Sequence, residues 1–303
     1  MKRAIALGLG VVAGIAGTVL WQQLPGIGAG GLLHPSRRAV TQPPPAGCAE
    51  REFAGAGVRL QGWECAPAQP RGTIVYLHGV ADNRQSSASV IGRFVPRGFR
   101  VIAYDSRSHG RSEGDACTYG FHEKHDLRRV IDTVADGPVV LIGTSLGAAV
   151  ALQEAPTDAR VAAVVAAETF SDLRTVATER APVFFTPDTI GRAFALAENQ
   201  ARFRVDDVSP VRAAARITVP VLLIHGAADV DTPPAHSERV RAALKSASEL
   251  LLVPGAHHNQ SLNGDGVWAK IDAWVDRALD AGASVGAVRV PPFSSQETRR
   301  AGV

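Results

Sequence analysis

Short apolar runs punctuate this chain, and between them apolar residues recur every third or fourth position. The runs fall at residues 73–77, 99–104, 139–142, 161–166, 220–224 and 250–253. Each is bounded by Gly, Pro, Asp or a charged residue, the pattern of buried strands. Residues 87–97 and 122–135, and the stretch that follows Ile142, predict helices. A closing helix is predicted over about 267–279, where Trp268, Ile271, Val275 and Leu279 keep helical spacing. Strands and helices in alternation predict an α/β fold, with a mostly parallel sheet covered by helices on both faces.

Two stretches depart from that alternation. Upstream, residues 51–53 and 58–63 read as strands around the turn Gly55-Ala56-Gly57, an antiparallel hairpin at one edge of the sheet. Cys48 and Cys65 lie symmetrically about that turn and would face each other across the hairpin. Facing cysteines can form a disulfide, which suits an oxidising compartment; two unrelated, half-buried thiols fit the sequence as well. Further on, residues 171–218 interrupt the alternation, and Thr186-Pro187 reads as an N-cap and first turn. A short helical cap insertion is predicted there.

The ends differ from the middle. Lys2-Arg3 precedes residues 4–20, which carry no charged or strongly polar side chain, and Trp21 closes the run. As a helix such a run reaches roughly 25–31 Å, close to a bilayer core. Residues 1–24 are therefore expected to be a membrane anchor or signal sequence, with the remainder of the chain outside the cytoplasm. The small residues Gly26, Gly28, Ala29 and Gly30 offer the alternative of signal cleavage and secretion. Residues 25–47, rich in Gly and Pro, read as a linker, residues 48–282 as the folded domain and residues 283–303 as a flexible tail.

Composition adds exclusions. Apolar residues make up 46% and charged residues 20% of the 303 positions, a globular balance. The formal charge of +3 is small, and the arginines form no stripe interleaved with aromatics, so a nucleic-acid partner is not expected. No C-x-x-C or H-E-x-x-H spacing points to a metal, and no cofactor is expected.

The chemistry begins at Gly143-Thr144-Ser145-Leu146-Gly147, between a predicted strand and a predicted helix. Glycine two residues either side of a serine, at such a turn, is the G-x-S-x-G nucleophile elbow. Serine needs a base and the base an orienting acid. Loops at the ends of later strands supply candidates: Asp229 and Asp231 after the run at 220–224, His257 and His258 after the run at 250–253.

Five ordered pieces then carry a resemblance. Leu77-His78-Gly79, the stretch from Tyr104-Asp105 through His109-Gly110-Arg111-Ser112, the elbow, Leu223-Ile224-His225-Gly226 with Asp229, and Gly255-Ala256-His257-His258 are similar to signatures of the α/β-hydrolase superfamily. They look most like its monoglyceride-lipase and serine-aminopeptidase-like branch, across about residues 50–280. The resemblance implies Ser145 as nucleophile, Asp229 as acid and His258 as base. It also implies an oxyanion hole from the backbone N–H groups of Val80 and Leu146. The family pattern favours Asp229 over Asp231 and His258 over His257, although it usually has glycine where His257 stands. His78, His109 and His225 are expected to be buried, hydrogen-bonded residues that shape their loops. Asp82 and Asn83 are expected to make local turn bonds, and Cys117 to be a passive thiol. The expected activity is hydrolysis of small-molecule or lipid carboxylic esters. A peptidase, thioesterase, acyltransferase or non-catalytic binding protein on the same fold are the alternatives.

Overall fold

The computed structural model describes residues 21–134 and 137–286. The predicted anchor, apart from residues 21–24, and residues 287–303 of the predicted tail lie outside the described residues. Among the described residues no helix is long and apolar enough to cross a membrane.

Among the described residues, eight strands form one sheet: β1 (Cys48–Ala54), β2 (Arg59–Cys65), β3 (Thr73–Leu77), β4 (Arg100–Tyr104), β5 (Val139–Thr144), β6 (Val161–Ala167), β7 (Val221–Gly226) and β8 (Ser248–Val253). Their spatial order is β1-β2-β4-β3-β5-β6-β7-β8. β1 pairs antiparallel with β2 and β2 antiparallel with β4, while the remaining pairs are parallel. Strands β3 and β7 are buried along their whole length, and β5 up to Gly143, as strands covered on both faces must be. The hairpin register places Cys48 opposite Cys65, and the two form a disulfide.

Helices cover both faces. α3 (Glu123–Ile131) and α4 (Leu146–Glu154) pack with Leu77, Leu141, Val164 and Leu223 on one side. α2 (Ala88–Phe94) and the long α9 (Asp265–Gly286) pack with Ile74, Ile142, Val165 and Ile224 on the other. Helix α8 (Ala235–Ala243), between β7 and β8, is an element that the sequence pattern missed. The insertion contains α5 (Leu173–Glu179), α6 (Pro187–Ala201) and α7 (Pro210–Ala214). As predicted, Thr186 caps α6, its side chain accepting from the Thr189 N–H, with Pro187 in the first turn.

The linker expectation needs correction. Residues 21–33 are helical (α1), and Leu24, Ala29 and Leu33 are buried. Ala29 and Leu33 join Phe170, Leu173, Val176 and Phe194 in a separate apolar cluster beneath the insertion. Glycine costs up to about 1 kcal/mol per residue in a helix, and burial of this stripe against α5 and α6 outweighs that penalty. Gly28 permits the close approach: a Cβ there would stand 2.9 Å from the Phe185 ring and 3.1 Å from the Ala193 Cβ. The segment after α1 is pinned as well. Arg37 donates to the Ser112 carbonyl at 2.7 Å, and Arg38 pairs with Asp82 at 3.0 Å.

Candidate active site

The crossing between β3 and β5 creates the site. The chain leaves β3 towards β4 on one side and returns through β5 on the other, which opens a crevice at the carboxyl ends of the two neighbouring strands. Gly79 and Val80 follow β3 there, and Ser145 follows β5.

Ser145 has φ 50° and ψ −111°, a conformation that non-glycine residues rarely adopt. Its flanking glycines are sterically required. A Cβ at Gly143 would lie 2.4 Å from the Gly147 backbone, and one at Gly147 would lie 2.1 Å from the Leu77 carbonyl oxygen. The elbow is therefore pressed against β3, close to the loop carrying Gly79, whose Cβ position is 3.6 Å from the Ser145 Cβ. The Ser145 N–H donates to the Ala167 carbonyl at 2.8 Å, which ties the turn to β6. Among the described residues, neither the Val80 nor the Leu146 N–H donates to a protein acceptor. Leu146 opens α4, where the helix dipole favours negative charge.

Ser145 Oγ donates to His258 Nε2 at 3.0 Å, and His258 Nδ1 donates to Asp229 Oδ2 at 2.7 Å. The loop after β5, the loop after β7 and the loop after β8 thus meet in one hydrogen-bonded chain. His257 stands exposed next to it, its backbone N–H bonded to the Gln260 side chain, and it touches neither partner. The backbone N–H groups of Asp231 and Thr232 donate to Asp229 Oδ1 at 3.0 and 2.9 Å. Burial acts to raise the Asp229 carboxyl. Bonds from His225, His258 and the Thr232 N–H outweigh it and hold the group well below the usual carboxylate range.

The remaining predicted residues fall outside that chain. His78 donates from Nδ1 to the Gly79 carbonyl at 2.7 Å and accepts the Ser106 N–H on Nε2 at 2.9 Å, bracing the loop that carries Val80. His109 is buried on the Arg107 carbonyl. Asp105 holds its own turn through the Arg111 N–H and also forms a fully buried pair with Arg84, Oδ2 to Nη1 at 2.7 Å. Asn83 accepts from the Gln85 N–H, the local turn bond expected, whereas Asp82 instead pairs with Arg38. Cys117 is buried, and burial pushes its thiol well above the ordinary value, so it is inert. Among the described residues no cluster of His, Cys, Asp or Glu is arranged to hold a metal ion.

Glu168 and Arg180 are not legible as contributors in the sequence, and His225, expected to be buried and hydrogen-bonded, adds a contact with Asp229 that is not legible there. Glu168, directly after β6 and fully buried, has φ 56° and accepts the N–H groups of Asn259, Gln260 and Ser261 at 2.5, 3.2 and 2.9 Å. It anchors the loop that follows His258. His225 Nε2 lies 3.3 Å from Asp229 Oδ2 while donating to the Thr232 carbonyl at 2.7 Å, and Ser237 Oγ contacts its Nδ1. Arg180, at the end of α5, donates to the Asp231 carbonyl and to Thr232 Oγ1, each at 2.7 Å. An acid at a strand end was the one available signal for Glu168; its partners lie more than 90 residues away.

The alpha/beta hydrolase family model matches residues 74–270, more than half of the chain, and spans the elbow, the acid loop and the histidine loop. The chain belongs to the alpha/beta hydrolase family. This hydrolase is 30% identical over 238 residues to the uncharacterized protein YfhR of Escherichia coli, covering 74% of this chain and 73% of that protein. It is 28% identical over 218 residues to the uncharacterized protein YqkD of Bacillus subtilis, covering 68% and 70%. Among solved structures, the Pyrococcus furiosus esterase Pf2001 superposes on 82% of the hydrolase and 98% of its own chain, with a TM-score of 0.67 at 20% identity. That last likeness is one of fold.

Proposed function

We propose that this hydrolase cleaves carboxylic esters through an acyl-enzyme on Ser145. The observation that carries the reading is the unbroken chain Ser145–His258–Asp229, beside two backbone N–H groups with no acceptor among the described residues. Ser145 Oγ attacks the ester carbonyl while His258 Nε2 takes its proton. The Val80 and Leu146 N–H groups stabilise the oxyanion that forms. The carbon–alkoxy bond then breaks, and His258 passes the proton to the departing alcohol. Water, deprotonated by His258, attacks the acyl-enzyme, and the acid leaves as Ser145 regains its proton. Asp229 orients His258 and offsets the imidazolium charge at each transfer.

A serine-directed fluorophosphonate probe tests this reading together with p-nitrophenyl acetate turnover. Labelling and turnover are expected in the wild type, with both lost in Ser145→Ala. A folded wild type that does not label, or a Ser145→Ala variant that labels equally, overturns it.

The proposal includes export, with residues 1–24 as anchor and the catalytic domain outside the cytoplasm. The Cys48–Cys65 disulfide supports an oxidising compartment. Fractionation with the membrane, and accessibility to an extracellular protease, are expected.

A further inference from the structure

We propose that helix α1 forms one wall of an acyl-chain subsite, so that the preferred substrates are esters with an apolar acyl chain of medium length. The inference rests on the ester-hydrolase reading of Ser145. A cavity of about 390 Å³ lies between α1 and the insertion, lined by Ile27 and Leu32 from α1, by Leu173 and Val176 from α5, and by Phe185 and Phe194. That volume falls within the range of roughly 300–1,000 Å³ typical of ligand pockets. Among the described residues, Arg180 is the one charged residue of its lining, and no carboxylate lines it to receive a protonated amine. An apolar chain fits this lining, whereas the amino end of a peptide would lose its hydration without compensation.

Arg180 also connects the cavity to the site. It lines a second cavity of about 570 Å³ that contains His258, Val80 and Asn259. Its guanidinium is held on the acid loop by Asp231 and Thr232, and the Thr232 N–H in turn bonds Asp229. With the charged head fixed there, the aliphatic stem is what Arg180 offers to the apolar cavity. The two spaces suit the two halves of an ester. The alcohol must leave and water must enter where His258 exchanges protons, so both belong in the His258 cavity. The acyl group stays bonded to Ser145 through the intermediate, and the apolar cavity past Arg180 can hold it throughout.

The same geometry gives the small residues at 26–30 a role other than processing. Ala29 is fully buried, and Gly28 is where α1 meets Phe185 and Ala193. Cleavage after Gly28, Ala29 or Gly30 would remove Ile27 and break the wall.

Gly31 gives a direct test, because it lines the cavity and a Cβ there would meet nothing within 4 Å. Ala177 of α5 lines the same cavity, and Gly31→Phe and Ala177→Phe each put a ring into the apolar space without touching the hydrogen-bonded chain. In the full-length wild type, kcat/KM is expected to rise about tenfold or more from p-nitrophenyl acetate to the octanoate, since burial of one methylene is worth at most about fourfold. In both variants the ratio of octanoate to acetate kcat/KM is expected to fall about tenfold. Fluorophosphonate labelling and acetate turnover with a flat chain-length profile overturn the subsite alone. So does an equal fall on both esters in both variants. Absence of labelling and of turnover on every ester removes the ester-hydrolase reading, and the subsite with it.

Discussion

Two histidines stand side by side after β8, and a difference of one residue decides which of them meets the serine. Adjacent side chains on an irregular loop point in different directions, and here His258 turns inwards between Ser145 and Asp229 while His257 faces solvent. His258→Ala is expected to lower kcat on acetate esters by on the order of 10⁴, and His257→Ala by less than about twofold. A larger loss in His257→Ala reverses the assignment. Asp229 carries a second, pH-dependent consequence. Burial acts upward on its carboxyl, but the bonds from His225, His258 and Thr232 hold it well below the usual range. An acid lowered in this way stabilises the folded state above the ordinary unfolded value of about 4. That contribution fades as pH falls further, because the unfolded chain takes up a proton that the folded chain does not. Asp229→Asn removes the contribution. Urea unfolding should therefore show the wild type's advantage over the variant largest at pH 7, and narrowing below about pH 4. An advantage that stays constant across that range would show that the carboxyl is not held low.

At the scale of elements, the site depends on strand ends that are remote in sequence. Glu168 at the end of β6 holds three successive backbone N–H groups after His258, so β6 sets the height of the histidine loop. Glu168→Gln turns one acceptor into a donor that faces an N–H. The expected result is a fall in kcat of about 10- to 100-fold with KM changed little, since misplacing a catalytic group slows chemistry more than binding. Glu168→Asp, with a shorter reach but both acceptors, should recover part of the loss. If KM rises and kcat holds, or if Asp and Gln behave alike, Glu168 is not acting through His258.

The contrast between what the sequence shows and what it hides follows from range. The elbow was readable because its steric demands are local: glycines at 143 and 147, a strand before and a helix after. Strands β3 to β7 were readable because burial on both faces leaves unbroken apolar runs, whereas the apolar run of β8 lies at an edge and is only half-buried. Helix α1 was hidden because its glycines oppose helix formation locally, and only the apolar face of α5 and α6 reverses that balance. Helix α8 lacks a strong apolar stripe, with His236, Ser237 and Val240 buried in it. Glu168 carries only the weak mark of an acid at a strand end, and Arg180 none, because their partners belong to other loops.

For the molecule as a whole, stability and chemistry are concentrated at different places in the sheet. The Cys48–Cys65 bridge closes the hairpin β1–β2 at one edge, whereas Ser145 stands at the end of the central β5 and the loops carrying Asp229 and His258 lie towards the opposite edge. A bridge between residues 17 apart constrains the unfolded chain by about 3 kcal/mol in the loop-entropy account. At about 2–4 °C per kcal/mol for a domain of this size, reduction should lower Tm by roughly 6–12 °C. No residue of the hairpin belongs to the Ser145–His258–Asp229 chain or to the Glu168 anchor. Ester turnover measured well below the transition should therefore change by less than about twofold, because the centre of the sheet keeps its register without the bridge. Cys48→Ala combined with Cys65→Ala should reproduce both results without a reductant. A matching loss of kcat at low temperature would instead show that strain at the hairpin edge reaches the elbow through β4 and β3, the two strands that separate them.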